Sequence, residues 1–435
     1  MKILIISNLD HASPRIPGLS QYFIERGDDI RVVTPISSVN YMENWGLNEL
    51  NSKKFQVINA PYNGDVLQIF RKIFWFLGFK KEISLTEQLK SSSNSRAVKI
   101  KSKVIDFLLF KIQEFFGIPD IEISWYKSAY KTSIEEIKVD TPDVLISSSP
   151  YMTSHMVASK LSKKYDLKWV ADFRDSWSNN PVYPFSSLRR KLDTFLERKI
   201  IFKANIISTV SIKYAEKLKE IHHQNPLVIP NGYTKLNNKD SKTDNNFLEI
   251  VYTGMIYDGY QNYPQFLNGI RDGLDNNLFS ENDLRVNFYG RYLFNLQEKI
   301  NEFNLDQVVF QNGLIPREDA FSVQANSDLQ LFFNWEGDEN GGLSHLKLYE
   351  YLGAMRPILV FGDREDKNNQ EIVKKTNTGY VCIGRKELAN QIKELIDLKK
   401  ENKYISHSPN ISALKENSYY ERGRLLRSEL IKILK

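Results

Sequence analysis

Apolar positions along the chain fall into short runs divided by amphipathic stretches. The run Ile3–Ser7 has the pattern of a buried parallel strand. A loop with Arg15, Pro17 and Gly18 follows. Leu19–Arg26 then suits a helix stopped by Gly27, and Ile30–Thr34 a second strand. The rhythm returns past residue 140. Strands are expected at Asp143–Ser147, Lys168–Asp172, Ile206–Val210 and Leu227–Ile229, with helices at Tyr151–Tyr165, Leu188–Phe202 and Ile212–His222. Pro230, Asn231 and Gly232 break the chain, and the polar, aperiodic stretch Leu236–Asn246 reads as a linker. Beyond it, strands at Leu248–Thr253, Leu284–Tyr289, Val308–Gln311, Leu329–Phe333, Ile358–Phe361 and Tyr380–Ile383 alternate with helices. Such alternation implies parallel sheets covered on both faces. The expectation is an α/β protein with two Rossmann-like β/α/β domains facing a cleft. Residues 1–240 and 241–412 form the domains, and a terminal helix over 413–435 returns to the first.

One stretch breaks the rhythm. Residues 66–118 read as a helical insertion, with Phe70, Ile73, Phe74, Trp75, Phe76, Leu77 and Phe79 set among Arg71, Lys72, Lys80 and Lys81. Residues 66–111 hold ten basic and three acidic side chains, a local charge of +7 against +6 for the whole chain. The rest of the chain is therefore close to neutral. Aromatic residues beside cations suit a lipid headgroup boundary, with Arg71, Lys72, Trp75, Lys80 and Lys81 as the contacts. A helical hairpin with an aromatic core is the alternative. The basic patch is local and carries no nucleic-acid motif, so no nucleic-acid partner is expected.

Composition narrows the class further. At 435 residues, 41% hydrophobic and 26% charged, the chain is globular and too long for one core. A single cysteine, Cys382, excludes an internal disulfide framework and Cys-rich zinc sites. No signal-peptide pattern and no apolar run of spanning length occur, so a cytoplasmic protein is expected. There is no Gly-x-Gly fingerprint, Walker A loop, His-Glu-x-x-His, Asp-x-Asp or Gly-x-Ser-x-Gly elbow. A dehydrogenase, an NTPase, a zinc hydrolase and an α/β-hydrolase all become poor fits, and no metal site is expected.

Two segments carry chemistry. In the first, an apolar strand delivers Asp172, Arg174 and Asp175 at its carboxyl end, where open α/β sheets bind ligands. A local ion pair that stiffens the turn is the other reading. In the second, Gly341, Gly342 and Ser344 precede a helix carrying Lys347 and Glu350. Paired glycines let backbone amides approach an anion, and a helix N-terminus favours negative charge. Lys347 adds a positive charge, and Glu350 three residues on could accept from a ribose diol. An ordinary helix start with a surface Lys–Glu pair has the same pattern.

The stretch Lys347–Pro357, the segments Thr209–Ser211, Val228–Tyr233 and Tyr252–Gly254, and Ser148–Pro150 followed by Asp172 to Trp177 stand in an order that resembles glycosyltransferase family 4, of the GT-B fold. The last of these stretches, Ser148–Pro150 through Trp177, is similar to a branch that works on surface polysaccharides such as capsule or lipopolysaccharide, and Pro119, Asp120 and Trp125 fit it too. The resemblance implies a retaining, metal-independent, hexosyltransferase-type reaction from a nucleotide diphosphate sugar, with no cofactor, to a lipid-linked or glycan acceptor. It implies a ribose contact at Glu350, a diphosphate contact at Lys347 and a loop glycine at Gly254, with Arg291 as a further candidate. Asp172 or Asp175 would face the acceptor hydroxyl or donor sugar, oriented by Arg174. Two departures stand out. Gly342 occupies the position of the family's first glutamate, and Met255–Gly259 lacks the usual cation pair. A nucleotide-sugar epimerase of the same fold and a non-catalytic, membrane-bound assembly protein are the alternatives. The expected location is the inner face of the cell membrane, peripherally bound through an anionic surface.

Overall fold

A computed structural model describes residues 1–9, 13–35, 54–76, 107–180, 183–237, 245–336, 345–362 and 368–435. Two sheets carry the chain, and every strand pairing in both is parallel. The first contains β1 (Lys2–Ile6), β2 (Asp29–Pro35), β3 (Phe55–Ala60), β4 (Val144–Ser148), β5 (Lys168–Phe173), β6 (Ile206–Thr209) and β7 (Leu227–Val228) in the order β3-β2-β1-β4-β5-β6-β7. The second contains β8 (Leu248–Thr253), β9 (Leu284–Tyr289), β10 (Val309–Gly313), β11 (Leu329–Phe333), β12 (Ile358–Gly362) and β13 (Gly379–Ile383) in the order β10-β9-β8-β11-β12-β13. With helices flanking each sheet, this is the two-domain Rossmann-like architecture of the GT-B fold. The strand order reverses between β1 and β4 and again between β8 and β11. Loops leaving strands on either side of such a reversal diverge, so each sheet opens a crevice at its carboxyl edge.

The apolar runs arise because the central strands are covered on both faces. Every residue of β4 and of β11 is buried. In β1, Ile3 and Ile5 enter one core while Leu4 and Ile6 enter the core on the opposite face, as the two-residue strand period requires. Two elements were not anticipated. β3 lies at the sheet edge and keeps only its terminal residues, Phe55 and Ala60, fully buried, so it shows no apolar run. Helix Tyr126–Val139 buries Ala129, Ser133 and Ile137, a narrow face with a single large apolar side chain.

The chain crosses back at its end. Helix Tyr419–Leu434 packs on helix Arg15–Glu25, placing Tyr419, Leu426 and Leu430 in the core of the first domain. Its Arg427 holds buried Asp28, which also receives the N-terminal amine. The two interdomain connections run side by side. Tyr233 donates to the Asn417 carbonyl at 3.1 Å, and Tyr419 donates to the Tyr233 carbonyl at 3.0 Å. Gly232 is required there, because a Cβ would stand 2.5 Å from the Tyr419 nitrogen.

Several expected site residues lie outside the described residues: Lys80 and Lys81 in the insertion, and Gly341, Gly342 and Ser344 before the helix. Arg71, Lys72 and Trp75 belong to helix Val66–Phe76, but the Trp75 side chain is not described. A second insertion helix spans 107–116. Among the described residues no helix is long and apolar enough to cross a membrane.

Candidate active site

The two crevices meet in a cavity of about 650 Å³. Pro14 lines it from the loop after β1, and Gly232, Tyr233, Thr234 and Lys235 from the interdomain connection. The second domain supplies the loops after β8, β9 and β10, the start of helix Arg317–Asn326, and Lys347, Glu350 and Gly353 of helix Leu346–Ala354.

Lys347 occupies the first turn of that helix. Its Nζ is buried without a hydrogen-bond partner among the described residues, 3.5 Å from the centre of the Tyr252 ring. Burial, opposed by the charge of Glu350, lowers the amine's pKa to about 7. The ring face offers an ammonium some attraction, but no oxygen replaces its lost water. Gly254 makes room for it. A Cβ at Gly254 would lie 3.2 Å from Nζ, and the residue's φ of +114° disfavours any side chain. The β8 and β9 loops press together here, with the Gly254 amide donating to the Tyr289 carbonyl at 2.7 Å. Arg291 is exposed beyond Tyr289 and Gly290 and does not line the cavity.

Glu350 lies one turn along, where its Oε1 accepts from Arg317 Nη2 at 2.5 Å. Arg317 escaped the sequence reading, although a signal was present. A cation in the first turn of a helix opposes the helix dipole and calls for a local reason. The helix itself is fixed from several sides. Tyr351 Oη accepts from the Thr253 amide at 3.1 Å, and Gln330 donates to the Tyr351 carbonyl. Met355 ends the helix in the left-handed conformation. Gly353 lets the interdomain connection cross closely, with the Asn237 amide donating to its carbonyl at 2.7 Å. Lys347 and Glu350 are therefore held by the same segment that joins the domains.

The carboxyl edge of the first sheet is built differently. Asp172 is only 3% exposed. It accepts from Arg15 Nε and Nη2, Ser148 Oγ and Ser208 Oγ, each at 2.8 Å. Burial works against its charge, but Arg15 and the two hydroxyls overcome it and hold the pKa below the usual aspartate value. Two donors on each oxygen leave it no free lone pair for a substrate hydroxyl. The expectation that Asp172 faces an acceptor is not met by this arrangement, and neither is a local ion pair within the turn: the cation that holds Asp172 comes from a distant part of the chain. Its partner, Arg15, lies 157 residues away in sequence. Arg174 is half-buried at the end of β5, its amide donating to Ser149 Oγ. Asp175 is exposed, and its charge adds to burial in raising the pKa of Tyr257, a cavity residue of the second domain. A further carboxyl, Glu122, accepts from Asn8 just after β1, and burial raises its pKa to about 7.

No protein-family model and no curated protein match this chain. Solved structures do. Anabaena HepE in complex with UDP superposes with a TM-score of 0.55 at 13% identity, covering 99% of this chain and 100% of that one. A UDP-N-acetylglucosamine 2-epimerase gives 0.53 at 13% identity, with 99% and 95% covered. S. aureus TarM, bound to UDP, fondaparinux and an α-GlcNAc-glycerol, gives 0.50 at 12% identity, with 98% and 95% covered. At these identities the likeness establishes the fold, which glycosyltransferases and nucleotide-sugar epimerases share.

Proposed function

We propose that this protein is a retaining glycosyltransferase of the family 4 type, moving a sugar from a nucleotide diphosphate donor to a lipid-linked glycan in surface-polysaccharide assembly. The observation that carries the reading is Lys347, a buried amine without a hydrogen-bond partner among the described residues, facing a cavity between two Rossmann-like domains. A diphosphate there would complete its coordination. As the sugar–phosphate bond breaks, charge accumulates on the leaving diphosphate. Lys347 and amides at the start of its helix would stabilise it, without a metal. Glu350 would accept from the ribose hydroxyls after exchanging its bond to Arg317. Asp175, with Arg174 beside it, is the proposed contact to the acceptor or the transferred sugar, and Arg291 an outer donor contact. Gly341, Gly342 and Ser344 remain proposed donor contacts through their amides. The basic insertion, including Arg71, Lys72, Trp75, Lys80 and Lys81, would hold the enzyme on an anionic membrane face where such an acceptor resides.

The test measures nucleoside diphosphate release from a panel of donors, with and without lipid extract, beside calorimetry on Lys347→Ala and Glu350→Ala. Release that needs the extract, and donor binding lost in both variants, is the expected result. Donor affinity unchanged in both variants would refute the site. Isomerised sugar without any acceptor would make the protein an epimerase, and no binding or turnover would make it a non-catalytic assembly factor.

A further inference from the structure

Helix Ser187–Ile201 divides its charges unusually. Its two acidic residues, Asp193 and Glu197, point inward and are buried. Asp193 is held by Arg189 and Tyr183, and Glu197 by Ser178 and His222. Over the helix and the two residues after it, Arg190, Lys191, Arg198, Lys199 and Lys203 all face solvent. Between these cations runs an apolar row: Leu188 is 80% exposed, Phe195 62% and Phe202 74%, with Leu192 also exposed. Their spacing of about one or two helical turns puts them on one face. The outer surface thus presents Lys191, Arg198, Lys199 and Lys203, four large apolar side chains and no carboxylate, while Arg190 stacks on Tyr183 at the flank.

The row does not end with the helix. The Ser186 amide donates to Glu114 of helix 107–116, and Arg189 donates to the Gly117 carbonyl at 2.6 Å. Phe110 and Phe185 meet with tilted rings at 5.6 Å, while Phe116 meets Phe70 of helix Val66–Phe76 at 5.4 Å. Phe107, Phe115, Phe116 and Phe76 are exposed along this continuation. Three helices therefore share one surface of apolar side chains and cations. In sequence the helix Ser187–Ile201 follows the segment that carries Arg174 and Asp175.

We propose that the outer face of helix Ser187–Ile201 is a membrane-docking surface, seating Leu188, Leu192, Phe195 and Phe202 at the acyl boundary and its cations against anionic lipid phosphates. Charge complementarity selects this occupant: a helix that turns Lys191, Arg198 and Lys199 outward and both carboxylates inward matches a polyanionic plane. A soluble protein partner would call for mixed charge at the rim. The proposal rests on the membrane reading of residues 66–111 and adds a second, independently testable element to it.

Flotation of the full chain with vesicles of equal parts phosphatidylglycerol and phosphatidylcholine, at low salt, tests it. The wild type floats with these vesicles and not with phosphatidylcholine alone. Replacing Lys191, Arg198 and Lys199 together by Gln lowers vesicle partitioning on the order of a hundredfold. Leu188→Ser, Phe195→Ser and Phe202→Ser combined also lowers it. These side chains are exposed, so both variants keep the wild-type thermal transition and nucleotide affinity. If both helix variants float like the wild type while Arg71→Gln with Lys72→Gln does not, the helix proposal falls and the insertion reading survives. A wild type that stays unbound overturns both. A dimer abolished by the Ser variant, without lipid binding, assigns the face to a second copy and overturns the proposal.

Discussion

Each sheet brings a buried charge to its carboxyl edge, and the two charges are treated in opposite ways. In the first domain, Asp172 and Arg15 form a bidentate pair completed by two serine hydroxyls. In the second, Lys347 is buried against a tyrosine ring with no oxygen in reach among the described residues. A saturated ion pair locks the loops it joins and has nothing left to offer a ligand. An unsaturated cation makes the empty protein less stable and recovers that cost when an anion arrives. Both charges lie near the carboxyl edge of a sheet, one on a strand and one on a helix, so position alone does not identify a functional residue.

The largest effect that would break this contrast is on stability. Arg15→Ala leaves Asp172 buried with two hydroxyls only, and about 3–5 kcal/mol of stability is expected to be lost in urea denaturation. Because the folded Asp172 pKa is lowered, its contribution is present above the unfolded value of about 3.9 and is lost as pH falls through the lower folded value. An Arg15→Ala protein as stable as the wild type would remove the structural role.

Lys347→Met reverses the pattern. Nucleoside diphosphate affinity is expected to fall about a hundredfold, the equivalent of about 3 kcal/mol, while the melting temperature holds or rises. A drop in stability with unchanged affinity would make the two regions alike.

The amine's pKa sharpens the comparison further. Below about pH 7 the free site is already protonated. Above it, binding a diphosphate requires proton uptake, so affinity should decline by up to about tenfold per pH unit. Calorimetry in buffers of different ionisation enthalpy reads that uptake. The stability of the empty protein moves the other way. It rises between pH about 7 and 10.5, because there the unfolded chain holds a proton that the folded chain has released. The smallest effect is expected at Gly254→Ala, about 1 kcal/mol from the positive φ, with a matching displacement of Lys347 visible as weaker nucleotide binding.

The architecture was legible because most strands are covered on both faces, which leaves uninterrupted apolar runs such as Leu329–Phe333. β3 was not, since an edge strand needs no such run. Lys347 and Glu350 were found together because helical spacing places them one turn apart. Arg15 and Arg317 were missed for the converse reason. Their partners stand 157 and 33 residues away, so no local pattern names the partner, even where a cation in a helix's first turn marks Arg317. The same blindness made Asp172 look available. Side-chain geometry at the end of β5 was readable, but the guanidinium waiting there was not.

The returning C-terminal helix has a consequence for biosynthesis. The second domain is continuous in sequence, its sheet running from Leu248 to Ile383. The first domain starts the chain, yet its core includes Tyr419, Leu426 and Leu430. As the polypeptide leaves the ribosome, the first domain must wait for residues made after the second domain. Order of translation and order of completion are inverted, and the unfinished half would emerge with the Ile16, Leu19 and Phe23 surface uncovered. That surface is where a nascent-chain chaperone would be needed.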